Sequence, residues 1–143
     1  MSFEVRRVVT GHTPDGVSVV DTDERVLSRN PFDGYDGAEL WETAAPRSLI
    51  RIVELAPGHR SPMHRTHTVD YALLLDGECE LVLDEGSVHL QAGDMVVQRG
   101  TNHAWHVLGD RPARFAFVLI DAEPLRFGGV ELPDTMPAGV DPD

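Results

Sequence analysis

Between Gly58 and His106 turn signals recur every few residues, and that punctuation limits the fold more than any other feature. The runs Tyr71 to Leu75, Glu80 to Leu83, Val88 to Leu90 and Asp94 to Gln98 are separated by Asp76-Gly77, Glu85-Gly86 and Gly93-Asp94. Each run is too short for a helix, and the glycines supply the backbone conformations that tight turns need, so the stretch is predicted to be a meander of short strands. Leu49 to Leu55 before it and Arg114 to Ile120 after it are rich in strand formers, and the latter, the most apolar run, is expected to close a small barrel. No stretch carries a helical period long enough to set the architecture. The predicted class is all-β.

The remaining segments fit around that barrel. Arg6 to Val9 and Val17 to Val20 flank Thr13-Pro14-Asp15-Gly16, which predicts an N-terminal hairpin. Asp21 to Gly37 is polar and shows neither a two-residue nor a helical period, so it is expected to be a long surface loop, a lid with Phe32 and Tyr35 as anchors. From Ala122 onward, prolines, glycines and acidic residues predict an extended tail. The 143 residues are therefore read as a single domain, with hairpin and loop over 1–37, barrel over 38–121 and tail over 122–143.

A formal charge of −12 opposes partners that carry phosphate, so neither nucleic acid nor an anionic membrane surface is expected. No apolar run has the length to span a bilayer, and Met1 to Arg7 does not open a secretory signal. A cytoplasmic location is expected. Cys79, the sole cysteine, cannot form an internal disulfide and lies between Glu78 and Glu80, which raise a thiol pKa; it is read as structural.

Gly58, His64, Asp70 and Gly77, followed by Gly93, Gly100 and His103, form two spaced sets with fifteen residues between Gly77 and Gly93. This pattern resembles the paired motifs of the cupin superfamily, and the chain is similar to a small single-domain cupin. Thr66 stands where the first motif has its second histidine, Asp70 replaces the usual glutamate, and Val107 replaces an asparagine. The resemblance implies a cupin-type jelly-roll barrel, commonly with one metal ion, and a homodimer in which the leading strand meets the neighbouring subunit.

Ligand positions follow from the same motifs. On a regular strand His64, Thr66, Thr68 and Asp70 share one face and His67 lies on the other. His64, Asp70 and His103 are then the expected ligands, and His67 becomes a fourth if a β-bulge turns it inward. Two neutral imidazoles and a carboxylate suit a divalent ion with open positions, Fe(II) first and Zn(II), Mn(II) or Ni(II) as alternatives. Without a metal, His64 and Asp70 would be a hydrogen-bonded pair and His103 a packed histidine.

Three further residues are candidates for substrate contact. Trp105 shares the phase of His103 and is either a cavity wall or ordinary core. Arg51, on one face with Leu49, Val53 and Leu55, either reaches solvent from an edge strand or holds a substrate carboxylate. Gln98 would orient a ligand, coordinate through its carbonyl oxygen or pair with backbone. The expected function is a metal-dependent enzyme of small-molecule metabolism, either an iron dioxygenase or a Lewis-acid isomerase, dehydratase or cyclase. The alternative is a non-catalytic module that binds a small metabolite without metal.

Overall fold

The computed structural model describes residues 2–135, and within them every regular element is a strand. In chain order these are β1 (Glu4–His12), β2 (Ser18–Leu27), β3 (Arg29–Phe32), β4 (Tyr35–Ala44), β5 (Arg47–Leu55), β6 (Thr68–Asp76) and β7 (Glu78–Leu83). They continue as β8 (Ser87–Gln91), β9 (Met95–Arg99), β10 (His103–Leu108), β11 (Ala113–Asp121), β12 (Arg126–Phe127) and β13 (Val130–Glu131). A six-stranded sheet in the order β3-β4-β5-β11-β6-β9 and a three-stranded sheet in the order β10-β7-β8 contribute to one core. The architecture is the all-β jelly roll expected.

Alternation along the strands builds that core. Leu49, Arg51, Val53 and Leu55 of β5 are all buried, as are Ala113, Phe115, Phe117 and Leu119 of β11, while the residues between them are only partly covered. The three-stranded sheet adds Cys79, Leu81, Leu90, Trp105 and Val107. Phe115 and Phe117 are stacked, with ring centroids 4.9 Å apart, and each contributes about 1.5–3 kcal/mol by leaving water. Between β6 and β7, Gly77 has φ +84°, and a Cβ there would stand 2.4 Å from the backbone oxygen of Pro112. Glycine is required at this corner because two turns touch backbone to backbone.

The structure corrects the loop expected over 21–37. That segment completes β2, forms β3 and begins β4, so the strands of the six-stranded sheet start at Arg29 rather than at residue 38. Nearly all of β2 is exposed, and a strand without a buried face has no hydrophobic alternation to betray it. The predicted hairpin is present as β1 and β2, longer than expected at both strands. The tail is extended apart from the short pair β12 and β13, and residues 136–143 lie outside the described residues.

Candidate functional site

The segment from His59 to His64 runs antiparallel beside β10. Val107 N donates to His59 O at 2.9 Å and Ser61 N to Trp105 O at 3.0 Å. His64 and His103 then exchange both backbone hydrogen bonds, at 2.8 and 2.9 Å. From Ser61 to His64 is three steps, whereas from Trp105 back to His103 is two. One extra residue therefore sits in the Pro62-Met63 stretch, and this bulge-like insertion turns His64 inward. The bulge on which an inward His67 was conditional would lie after His64; this insertion lies before it. β6 begins only at Thr68, so strand alternation does not govern His64 to His67.

The two imidazoles meet inside the barrel with ring centroids 4.3 Å apart, and both residues are buried. His64 Nδ1 lies 2.8 Å from Pro62 O, and His103 Nδ1 lies 2.9 Å from Thr101 O. A carbonyl oxygen only accepts, so each Nδ1 carries a hydrogen, and in the neutral form of the ring the lone pair is then on Nε2. Histidines that ligate metals are oriented in this way. The pair therefore fits a divalent ion by its chemistry.

Asp70 is buried on β6, and Thr68 Oγ1 donates to its Oδ1 at 2.6 Å, with Thr66 Oγ1 a further 2.8 Å from Thr68 Oγ1. Among the described residues no three of His, Cys, Asp or Glu form a group able to hold an ion. The structure thus brings together His64 and His103 but no preformed three-residue cluster. His67 Nε2 donates to Leu132 O at 3.0 Å and anchors the tail.

Gln98 pairs with Asp70 across β6 and β9 and is buried. Its Oε1 accepts from the Thr101 hydroxyl, which fixes the amide orientation, and its Nε2 has no hydrogen-bond partner among the described residues. Arg51 is not on an edge: β5 lies between β4 and β11, and the residue is 5% exposed. Its Nε stands 2.9 Å from Glu39 Oε1, an ion pair without hydrogen-bond alignment, and its Nη1 donates to Tyr35 Oη at 3.4 Å.

Two cavities open from this interior. The first, about 190 Å³, has Val53, Leu55 and Phe117 from the six-stranded sheet and Trp105 from β10 as walls. Phe32 and Tyr35 of the β3–β4 hairpin complete it with His59, Ser61, Pro62 and His64. Phe32 and Tyr35, expected as lid anchors, hold this position on a hairpin. Trp105 is a cavity wall, its ring 5.6 Å from that of His103 and 5.7 Å from that of Phe117. The second cavity, about 370 Å³, is polar; Arg51, Thr66, Thr68 and His67 line it beneath Glu39, Glu42 and Asp121.

Sequence reasoning assigned nothing to His59 and did not single out Phe117. The alternation of β11 was the available signal for Phe117. For His59 there was none, because its place depends on the pairing with β10. Cys79 is a core residue, and burial pushes its thiol up to about 12.

Residues 51–120 match a family model described as "Cupin domain". The chain is 45% identical over 102 residues to "Phomopsin biosynthesis cluster protein C'" of Diaporthe leptostromiformis, covering 64% of this chain and 54% of that protein. It is 36% identical over 88 residues to "Cupin-domain-containing oxidoreductase virC" of Hypocrea virens, covering 59% and 45%. The chain thus spans about half the length of the curated relatives it matches. Among solved structures, the cupin domain of Schizosaccharomyces pombe Cnp3 superposes with a TM-score of 0.64 at 15% identity, covering 81% of this chain and 87% of that one.

Proposed function

The chain belongs to the cupin superfamily, and from that premise we propose that it is an enzyme of small-molecule metabolism whose reactive centre is the His64–His103 pair. The observation that carries this reading is the shared orientation of the two imidazoles: both Nδ1 atoms donate to backbone carbonyls, which would make Nε2 the ligating atom of each ring. An apolar cavity has His64 in its lining, which supports a small organic molecule as the partner of this site. The biosynthetic-cluster protein and the oxidoreductase among the relatives support a role of this kind.

A divalent ion bound here would be held by His64 and His103, with Asp70 as the proposed third ligand and Fe(II), Zn(II), Mn(II) or Ni(II) as the suitable elements. Such an ion supplies Lewis-acid chemistry at a substrate oxygen or, as iron, one-electron redox chemistry. The protein's own residues do the rest. Trp105 and Phe117 exclude water from the cavity, Thr68 holds the Asp70 carboxylate, and Arg51 steadies the Tyr35 hydroxyl. A second reading, a binding module without metal, is favoured by the lack of a preformed three-residue cluster among the described residues.

Elemental analysis of protein purified without tag or chelator separates the two. The enzyme reading expects about one divalent ion per chain, lost in both His64→Ala and His103→Ala. No retained ion after reconstitution with all four elements would leave the binding module.

A further inference from the structure

The following rests on the apolar cavity being the substrate site and goes on to its selectivity. A void of about 150 Å³ accepts benzene, and drug-sized ligands need roughly 300 Å³ or more. The cavity of about 190 Å³ therefore suits one ring or two fused rings. Its aromatic walls, Phe32, Tyr35, Trp105 and Phe117, favour a flat partner. Among the described residues no Lys or Arg lines it, and the net charge is −12, so a buried carboxylate would lack compensation.

The polar groups of the wall divide into two kinds. Ser61 Oγ accepts from Trp105 N, His64 Nδ1 donates to Pro62 O, and Tyr35 Oη accepts from Arg51. These are engaged by the protein. His59 differs: among the described residues its ring nitrogens make no hydrogen bond. It is nonetheless held firmly, since its backbone N donates to Ala56 O at 3.0 Å and its carbonyl accepts from Val107 N at 2.9 Å. Its ring packs against the bare face of Gly34, where a Cβ would stand 2.6 Å from Nδ1, and near Phe32. Burial lowers its pKa, partly opposed by Asp33, so the imidazole is neutral at pH 7. With Nδ1 against Gly34, Nε2 is the ring nitrogen left to a hydroxyl, which can donate to it or accept from it according to the tautomer.

We propose that the cavity takes a neutral one- or two-ring aromatic bearing a hydroxyl group, and that His59 is the specificity-determining residue that recognises this hydroxyl.

The test is equilibrium binding by tryptophan fluorescence and calorimetry, using 2-naphthol, 2-methoxynaphthalene and 2-naphthoate with the full chain. The parent should bind 2-naphthol about tenfold more tightly than either analogue. His59→Leu should bring 2-naphthol and 2-methoxynaphthalene to within about twofold, and His59→Gln, which keeps a donor and an acceptor, should retain most of the preference. A full hydroxyl preference in His59→Leu, or 2-naphthoate as the tightest probe, would overturn the assignment to His59 while leaving the cavity reading intact. Failure of all three probes to bind natively folded parent would overturn both.

Discussion

The two cavities share strands β4, β5 and β11 yet differ in the polarity of their walls. On β5, Val53 lines the apolar cavity and Arg51, the preceding inward position, lines the polar one. On β11, Phe117 and Leu119 divide in the same way, and Phe117 is the direct cross-strand neighbour of Arg51. One inward step along a strand thus carries the interior from aromatic packing to a buried guanidinium. The difference teaches that the barrel separates two environments: the apolar half is walled by aromatic and aliphatic side chains, and the polar half gathers charged and hydroxyl groups. His64 lines the apolar cavity, and its ring meets that of His103 at 4.3 Å.

The comparison can be broken by exchanging packing for polarity. Phe117→Ala should cost about 3–5 kcal/mol in urea unfolding, because it empties space among Phe115, Trp105 and the apolar cavity. Arg51→Met should cost less, about 1–2 kcal/mol, since Glu39 is 62% exposed and rehydrates when its partner is removed. Equal costs would mean that Arg51 is as much a packing residue as Phe117, and the division would fail. Thr68→Val keeps the shape and removes the donor to Asp70; a loss of about 1 kcal/mol is expected by the same assay.

The smallest effect is a pH dependence. Burial lowers the pKa of His59 from its ordinary 6.5 in the folded state, so below pH 6.5 the unfolded chain binds more protons at this site. Its contribution to stability is whole above 6.5 and is lost as pH falls toward the folded value. Urea midpoints at pH 7.5 and 5.5 should therefore fall less in His59→Leu than in the parent. An identical drop in both would show that the ring is not desolvated by the cavity wall.

Much of this was legible in the chain because alternation and glycine turns are local. The inward phase of Arg51, Trp105 and His103 could be read from neighbours on the same strand. The burial of Arg51 could not, since nothing within β5 states that β4 and β11 flank it. The offset between Ser61 and His64 could not be read either, since the partner strand is dozens of residues away. β2 escaped detection for the opposite reason, having no buried face to impose a pattern. His59 combines both difficulties, as its role depends on Gly34, Phe32 and β10 together.

The central claim is that His64 and His103 are held as Nδ1–H tautomers, with Nε2 proposed as the atom through which each would bind a divalent ion. Long-range ¹H–¹⁵N correlation spectra of the imidazoles test it directly, first without metal and then during titration with Zn(II). The account predicts two buried rings with protonated Nδ1, and Nε2 resonances of both that shift together on adding the ion while His67 stays unmoved. Protonated Nε2 in either ring, or a titration that leaves both Nε2 resonances in place, would contradict it.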